Sequence, residues 1–213
     1  MKLDRSFFEQ PTLKVAKSLL GKIVIRKYKN KLLIGKIVET EAYLGPKDKA
    51  SHAYSFSSQS FAQKLKVLND NWRRIKWYVN NKELFYQRIL KCPCCKVTNR
   101  NLAEYLRGGH VYIYLIYGNH YQFNITSFGE GCPECILIRS LEPMVNLVNP
   151  KGPGRLCHEL KLGKKFWGHD LVTSNILWLE DNNISKKEKI VARPRIGIDY
   201  AQEVGVKNHG DFI

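Results

Sequence analysis

The stretch 110–126, HVYIYLIYGNHYQFNIT, leaves its backbone few options. Aromatic and β-branched side chains fill both halves, and these fit a pleated strand better than a helix. Gly118-Asn119 interrupts them where a chain can reverse, so residues 110–117 and 120–126 read as an antiparallel hairpin. Side chains alternate across a strand, which sets Tyr112 and Tyr114 on one face and Ile113, Leu115 and Tyr117 on the other. Tyr117 falls at the tip, where core packing gives no reason for a bulky ring.

Other segments extend this pattern. Residues 22–28 and 32–41 are β-rich runs joined by a polar Lys-Asn-Lys turn, and Gly45-Pro46 ends the second. Residues 135–141 read as a further strand. Residues 11–21 read as a short helix that opens on Pro11 and stops at Gly21. Gly152-Pro-Gly154 reads as a glycine loop opening another helix. Antiparallel strands with peripheral helices give an α+β class. Residues 53–97 stand apart: they suggest helices around 62–79 and 82–91, with Trp72, Ile75 and Val79 at helical spacing. An inserted helical pair docked on the domain explains them best.

Charge narrows the partner. The chain carries 35 Lys+Arg against 19 Asp+Glu, a net +16. A surplus of that size suits a polyanion, most often nucleic acid, or an anionic membrane surface; a Lys-rich solvated surface is the bland alternative. The basic residues interleave with Trp, Tyr, Ile and Val, as on a folded surface rather than a tail. No run nears the roughly 18 apolar residues of a membrane helix. The start MKLDRSFFEQP lacks the apolar core of a secretory signal, so the expectation is an intracellular protein with reduced thiols. Cys92, Cys94 and Cys95 with Cys132 and Cys135 could also gather a four-thiolate zinc site, although unrelated reduced cysteines are favoured.

The chemistry-bearing side chains concentrate at Glu39-Thr-Glu41-Ala-Tyr43, followed by His52. Glu39, Glu41 and Tyr43 share one strand face. Pattern alone favours a solvated face, since a buried carboxylate needs a partner or a purpose. Aromatic rings, a carboxylate and a basic surface also suit a pocket for a flipped base, with Tyr117 as a wedge entering the stack.

Six collinear stretches carry a resemblance: IVETEAYLGPKDKASHAY (37–54), TNRN (98–101), VYIYLIYGNHYQFNIT (111–126), LIRSLEP (137–143), GPGRLC (152–157) and RPRIGIDYA (193–201). Together with the opening SFFEQPTLKVAKSLLGK, the chain resembles the alkyladenine (3-methyladenine) DNA glycosylase family. The likeness covers nearly everything outside residues 53–97 and the last few residues. It implies a single domain over 1–213, with a curved antiparallel β-sheet, a protruding β-hairpin and peripheral helices, carrying an atypical basic insertion at about 53–97.

The resemblance also implies an activity: hydrolysis of the N-glycosidic bond of alkylated or deaminated purines in double-stranded DNA. The substrates would include 3-methyladenine, 7-methylguanine, hypoxanthine and ethenoadenine. No metal or organic cofactor, a monomer, and no membrane association are implied. The protein would work in the nucleus of a eukaryote or the cytoplasm of a bacterium. By motif position, Glu41 is the base that activates water and Arg139 helps hold that water. Tyr43, His52 and Tyr114 box the flipped base, and Asn124 excludes the amine of normal guanine. Tyr117 is the wedge, while Arg100, Gly152 and Gly154 hold phosphates. No amine nucleophile belongs to the set, so a monofunctional hydrolase is implied. Its alternative is a DNA- or lesion-binding protein disabled by the insertion. Three stretches depart from the family pattern: Asn99 replaces a usual proline, residues 102–110 keep only Gly108-Gly109-His110 of a glycine-proline loop, and the ending 208–213 lacks a usual tryptophan.

Overall fold

The computed structural model describes residues 1–182 and 190–195, with the backbone of residues 211–212. Two short helices open the chain, α1 (Arg5–Phe8) and α2 (Thr12–Leu19). Strands β1 (Ile23–Tyr28) and β2 (Lys31–Tyr43) then form the expected hairpin, with β2 running two residues further than its β-rich pattern. Helices α3 (Phe61–Ile75) and α4 (Lys82–Lys91) follow. The second hairpin pairs β3 (Val111–Ile116) with β4 (His120–Thr126), and β5 (Cys135–Val145) completes the centre. Helix α5 (Pro153–Glu159), β6 (Leu177–Glu180) and the short β7 (Ala192–Arg193) and β8 (Asp211–Phe212) end the described elements. The strand order is β3-β4-β5-β2-β1-β6, all antiparallel where paired, and β8 joins the sheet beside β2. This is the expected α+β class, a curled antiparallel sheet in one domain with helices around it.

The sheet divides the molecule because its side chains alternate between two faces. Val24, Ile37, Ala42, Ile113, Phe123, Ile125, Ile136 and Ile138 bury one face against Leu19 of α2 and Leu156 of α5. The other face meets the helical insertion. There Leu68, Ile75, Phe85 and Ile89 form a second cluster with Leu102, Tyr105, Tyr112 and Cys135.

Two bulges set which side chains occupy that second face. Ile37 lies opposite Leu141 and Glu39 opposite Ser140, which leaves Val38 as the extra residue on β2. Thr40 then lies opposite Ile138, which leaves Arg139 extra on β5. A bulged residue loses its ladder partner and its side chain is re-aimed. As a result Thr40 turns to the α2 side and donates to the Ala16 carbonyl at 3.0 Å. Glu39, Glu41, Tyr43 and Arg139 face the other way.

The insertion is a docked helical pair, as its periodicity predicts, with α3 shorter than the expected span. Ser60 and Gln63 close a reciprocal cap at its start, and Asn81 caps α4. Trp72 meets Tyr86 edge-on at 5.8 Å, whereas Trp77 lies beyond the helix end and is 79 % exposed.

The thiol expectation needs correcting. Cys92 and Cys95 form a disulfide with Cα atoms 5.5 Å apart, within the range that such a bond spans. The turn after α4 returns the chain at the right distance, which spacing alone does not reveal. Cys135 lies buried in the second cluster, and among the described residues no group of three or more His, Cys, Asp or Glu side chains is placed to hold a metal. The four-thiolate arrangement does not form there. No helix among the described residues is long and apolar enough to cross a membrane. Residues 196–201 of the RPRIGIDYA stretch and residues 208–210 and 213 of the ending lie outside the described residues.

Candidate active site

The site is built on the sheet face turned away from α2 and α5. Glu41 is 0 % exposed, and both of its oxygens are engaged. The Tyr43 hydroxyl donates to Oε1 at 2.7 Å, and Arg139 Nη1 donates to Oε2 at 2.8 Å. Arg139 also donates from Nε to Glu39 Oε1 at 2.8 Å. One guanidinium therefore spans two carboxylates, a geometry that its planar fork allows. Burial works against the Arg139 charge, but Glu41 and Glu39 outweigh it and raise the arginine pKa. A carboxylate has about four lone-pair positions, so Glu41 keeps acceptor capacity for a water.

Beside this pair lies a pocket of about 70 Å³ walled by Tyr43, His52, Tyr112, Tyr114, Asn124 and Glu104. His52 meets Tyr114 edge-on at 4.7 Å, and Tyr112 and Tyr114 lie 5.0 Å apart. His52 Nδ1 and the Tyr112 hydroxyl share a hydrogen bond of 2.7 Å. Burial, then Arg100 and Lys96, lower the His52 pKa, although the residue as a whole is exposed. The ring is thus neutral at pH 7. Burial raises the Tyr43, Tyr112 and Tyr114 hydroxyls. Asn124 is buried, and its Nδ2 is held between the carbonyls of Tyr112 at 3.2 Å and Gln122 at 3.3 Å.

The four residues expected to touch DNA surround the β3–β4 hairpin. Tyr117 takes a left-handed φ of 49° at the tip and is 91 % exposed. Gly118 at φ 74° is its partner, so the turn centres one residue earlier than Gly118-Asn119 suggests. Arg100 donates to the Leu115 carbonyl at 3.3 Å and lies 4.8 Å from the Tyr114 ring centroid. Across the hairpin, Gly152 enters α5 at φ 92°, which favours glycine. At Gly154 a Cβ would stand 3.1 Å from the His120 ring, so a larger residue there would require that ring to give by a few tenths of an ångström.

Three contributions were not visible in the sequence. Asp48 and Arg195 form a fully buried ion pair, with Arg195 Nη1 also donating to the Ala42 carbonyl at 3.1 Å and its guanidinium 4.9 Å from the Tyr43 ring centroid. The pair fixes the end of β2 and the wall of the pocket. Its only sequence signal is the RPR of the last motif. Tyr112, read as an ordinary strand aromatic, anchors His52. Glu104 enters the pocket from a 3-10 turn, Leu102–Tyr105, inside the stretch that departs from the family pattern.

A model of the methylpurine-DNA glycosylase family matches residues 6–67 and 93–209. The unmatched interval between them falls inside the helical insertion. A protein of Natranaerobius thermophilus is 34 % identical, over 95 % of this chain and 90 % of its own. One from Borreliella burgdorferi is 35 % identical over 94 % and 89 %, and one from Clostridioides difficile 32 % over 94 % and 95 %. Each bears, provisionally, the name 3-methyladenine DNA glycosylase. With a buried carboxylate–arginine pair beside an aromatic pocket, the chain is an enzyme of the DNA glycosylase class, an N-glycosyl hydrolase. It belongs to the methylpurine-DNA glycosylase family.

Proposed function

We propose that this enzyme excises alkylated or deaminated purines from double-stranded DNA by flipping the damaged nucleotide and hydrolysing its glycosidic bond with water. The observation that carries this reading is Glu41, wholly buried yet bound to Arg139 and to Tyr43, which itself walls the aromatic pocket. A buried ion pair is a weak source of stability, so its position beside a cavity favours a chemical role.

In this reading the damaged base stacks among Tyr43, His52 and Tyr114, whose faces suit electron-poor purines. Glu41 accepts a proton from a water while the water oxygen bonds to the anomeric carbon and the base departs with the electrons of the C–N bond. The carboxylate also stabilises positive charge developing on the sugar. Arg139 orients the Glu41 carboxylate through its hydrogen bond to Oε2. Tyr117 fills the vacated stack, with Arg100 and the Gly152–Gly154 turn on the flanking phosphates. Asn124 opposes the exocyclic amine of guanine. Among the residues walling the pocket none is a lysine, which favours a monofunctional hydrolase over a strand-cleaving lyase. We read residues 1–213 as one catalytic domain, acting as a monomer, that carries 53–97 as an insertion. A DNA substrate puts its work inside the cell.

The test is release of base from duplexes that each carry one lesion: 3-methyladenine, 7-methylguanine, hypoxanthine or ethenoadenine. Abasic sites that depend on Glu41 are expected. Tight, salt-sensitive binding without release of any lesion, and identical for wild type and Glu41→Gln, would instead identify a binding protein.

A further inference from the structure

Glu104 is the least expected side chain in the pocket. It is 2 % exposed, it walls the cavity with Tyr112, Tyr114 and Asn124, and its Oε2 has no hydrogen-bond partner. Its other oxygen accepts from the Cys135 thiol at 3.5 Å, and the Asn101 side chain also acts on the carboxyl. A buried carboxyl left half-satisfied costs stability, and an apolar residue would fill the place better. An orphaned polar atom on a side chain that walls a binding cavity points to a ligand that completes it.

The chemistry of the leaving group says what the carboxyl could add. A cationic purine such as 7-methylguanine leaves as a neutral base. A neutral purine such as hypoxanthine leaves as an anion unless a ring nitrogen is protonated as the bond breaks. Of the titratable groups around the pocket, the tyrosine hydroxyls are raised by burial and are poor acids, and the His52 pKa is lowered, so its ring is neutral at pH 7 and a poor acid too. Burial also raises the Cys135 thiol. Glu104 differs. Burial in the pocket, opposed only in part by Cys135, Asn101 and Arg100, pushes its carboxyl up to about 8. It therefore carries a proton at neutral pH, and an acid works best when its pKa lies near the operating pH. The groups facing it are Cys135 on β5, Tyr112 and Tyr114 on β3, Tyr105 in its own turn, and Arg100 before that turn.

We infer that Glu104 is the proton donor for neutral purine lesions, giving its proton to a ring nitrogen of the flipped base as the glycosidic bond breaks. The inference rests on the reading of Glu41 as the base that activates water. The step balances. The C–N bonding pair goes to the purine, and the Glu104 proton goes to a ring nitrogen of that purine. The water oxygen bonds to the anomeric carbon and the water proton goes to Glu41. Solvent then restores the Glu104 proton and removes the one on Glu41. Glu104 thereby widens the substrate range from cationic alkylpurines to deaminated ones.

The experiment measures single-turnover release of hypoxanthine and of 7-methylguanine from otherwise identical duplexes, between pH 6 and 9.5, for wild type and Glu104→Gln. In the wild type, hypoxanthine release should fall about tenfold per pH unit above roughly pH 8, and 7-methylguanine release should lack that limb. Glu104→Gln should lower the hypoxanthine rate relative to the 7-methylguanine rate by about 10²–10⁴-fold and remove the limb. A hypoxanthine-to-7-methylguanine ratio within threefold of wild type overturns the inference, as does equal loss of both rates. The wild-type profile decides independently of the variant's folding, because the same pH dependence for both lesions also overturns it. Wild-type enzyme that releases neither lesion overturns the reading of Glu41 instead.

Discussion

Arg139 reaches Glu41 from a bulge: it is a residue of β5 skipped in the pairing with β2, and its Nη1 lies 2.8 Å from Glu41 Oε2 on β2. Regular pairing between Ile37 and Thr40 would reach the same register at Ile138 but would turn Thr40 and Glu41 to the faces opposite those they take. The neighbouring extra residues, Val38 and Arg139, let both strands bury apolar side chains on one face and then present a charged pair on the other. The site thus depends on two local departures from the ladder.

Removing the guanidinium leaves Glu41 as an uncompensated buried carboxylate. Arg139→Ala should therefore lower unfolding free energy by about 3–5 kcal/mol, read from the urea midpoint at pH 7. The same change in a Glu41→Gln background should cost much less, because no stranded charge remains. Equal costs in both backgrounds would mean that Arg139 stabilises by packing alone.

Glu41→Gln keeps the shape of the side chain and removes its basicity. Single-turnover base release should drop by about 10²–10⁴-fold or more while affinity for lesion-containing duplex stays within a few-fold. A gel-shift titration beside the rate measurement separates the two. Lost affinity with an unchanged rate would assign Glu41 to binding instead.

What the sequence disclosed and what it hid follow a physical division. The hairpin around Tyr117, the strands carrying Glu41 and Cys135, and the two helices of the insertion are legible because periodicity is local. The pocket members His52, Tyr114 and Asn124 followed from resemblance rather than from pattern. The bulges at Val38 and Arg139 leave no compositional mark, since any residue can be the extra one. Cys92–Cys95 depends on the turn after α4, and Asp48–Arg195 joins residues far apart in the chain. Glu104 was hidden for a related reason: one carboxylate among Leu102, Ala103, Tyr105 and Leu106 gives no sign that it ends up at the pocket with Tyr112.

His110 makes stability depend on acidity. Burial lowers its pKa to about 4, outweighing the opposing Arg107 carbonyl and Asp170. Between that value and the ordinary 6.5, the unfolded chain binds more protons than the folded one. Stability should fall as pH drops from about 6.5 to 4, by about 3 kcal/mol from this group, with no further loss from it below pH 4. His110→Gln should flatten that part of the profile, measured by urea midpoints at pH 7, 5.5 and 4.5. A variant whose profile is as steep as wild type would place the acid sensitivity elsewhere.

Glu104 works in the opposite direction, which lets its ionisation be measured without any substrate. Its folded pKa of about 8 exceeds the unfolded value, so the folded state holds the extra proton. The penalty is absent below about pH 4.5 and grows until pH passes 8, reaching several kcal/mol. Glu104→Gln should therefore match wild type near pH 4.5 and be clearly more stable at pH 8.5. A constant offset across that range would show that the carboxyl does not titrate as its burial requires.

Tyr117 supplies the contrasting case, a large ring with no structural duty. At 91 % exposure it buries almost nothing, and its left-handed φ favours glycine or asparagine. Tyr117→Ala should shift stability by no more than about 0.5 kcal/mol. If the ring fills the gap left by a flipped nucleotide, the same change should slow release from duplex DNA by about tenfold, the order expected when roughly 1–3 kcal/mol of base–aromatic stacking is lost. Release from single-stranded DNA, where no stack must be refilled, should change far less. The duplex-to-single-strand rate ratio therefore isolates the wedge from the chemistry at Glu41. Equal slowing on both substrates would make Tyr117 a general contact to the strand, and no slowing on either would remove it from the interface.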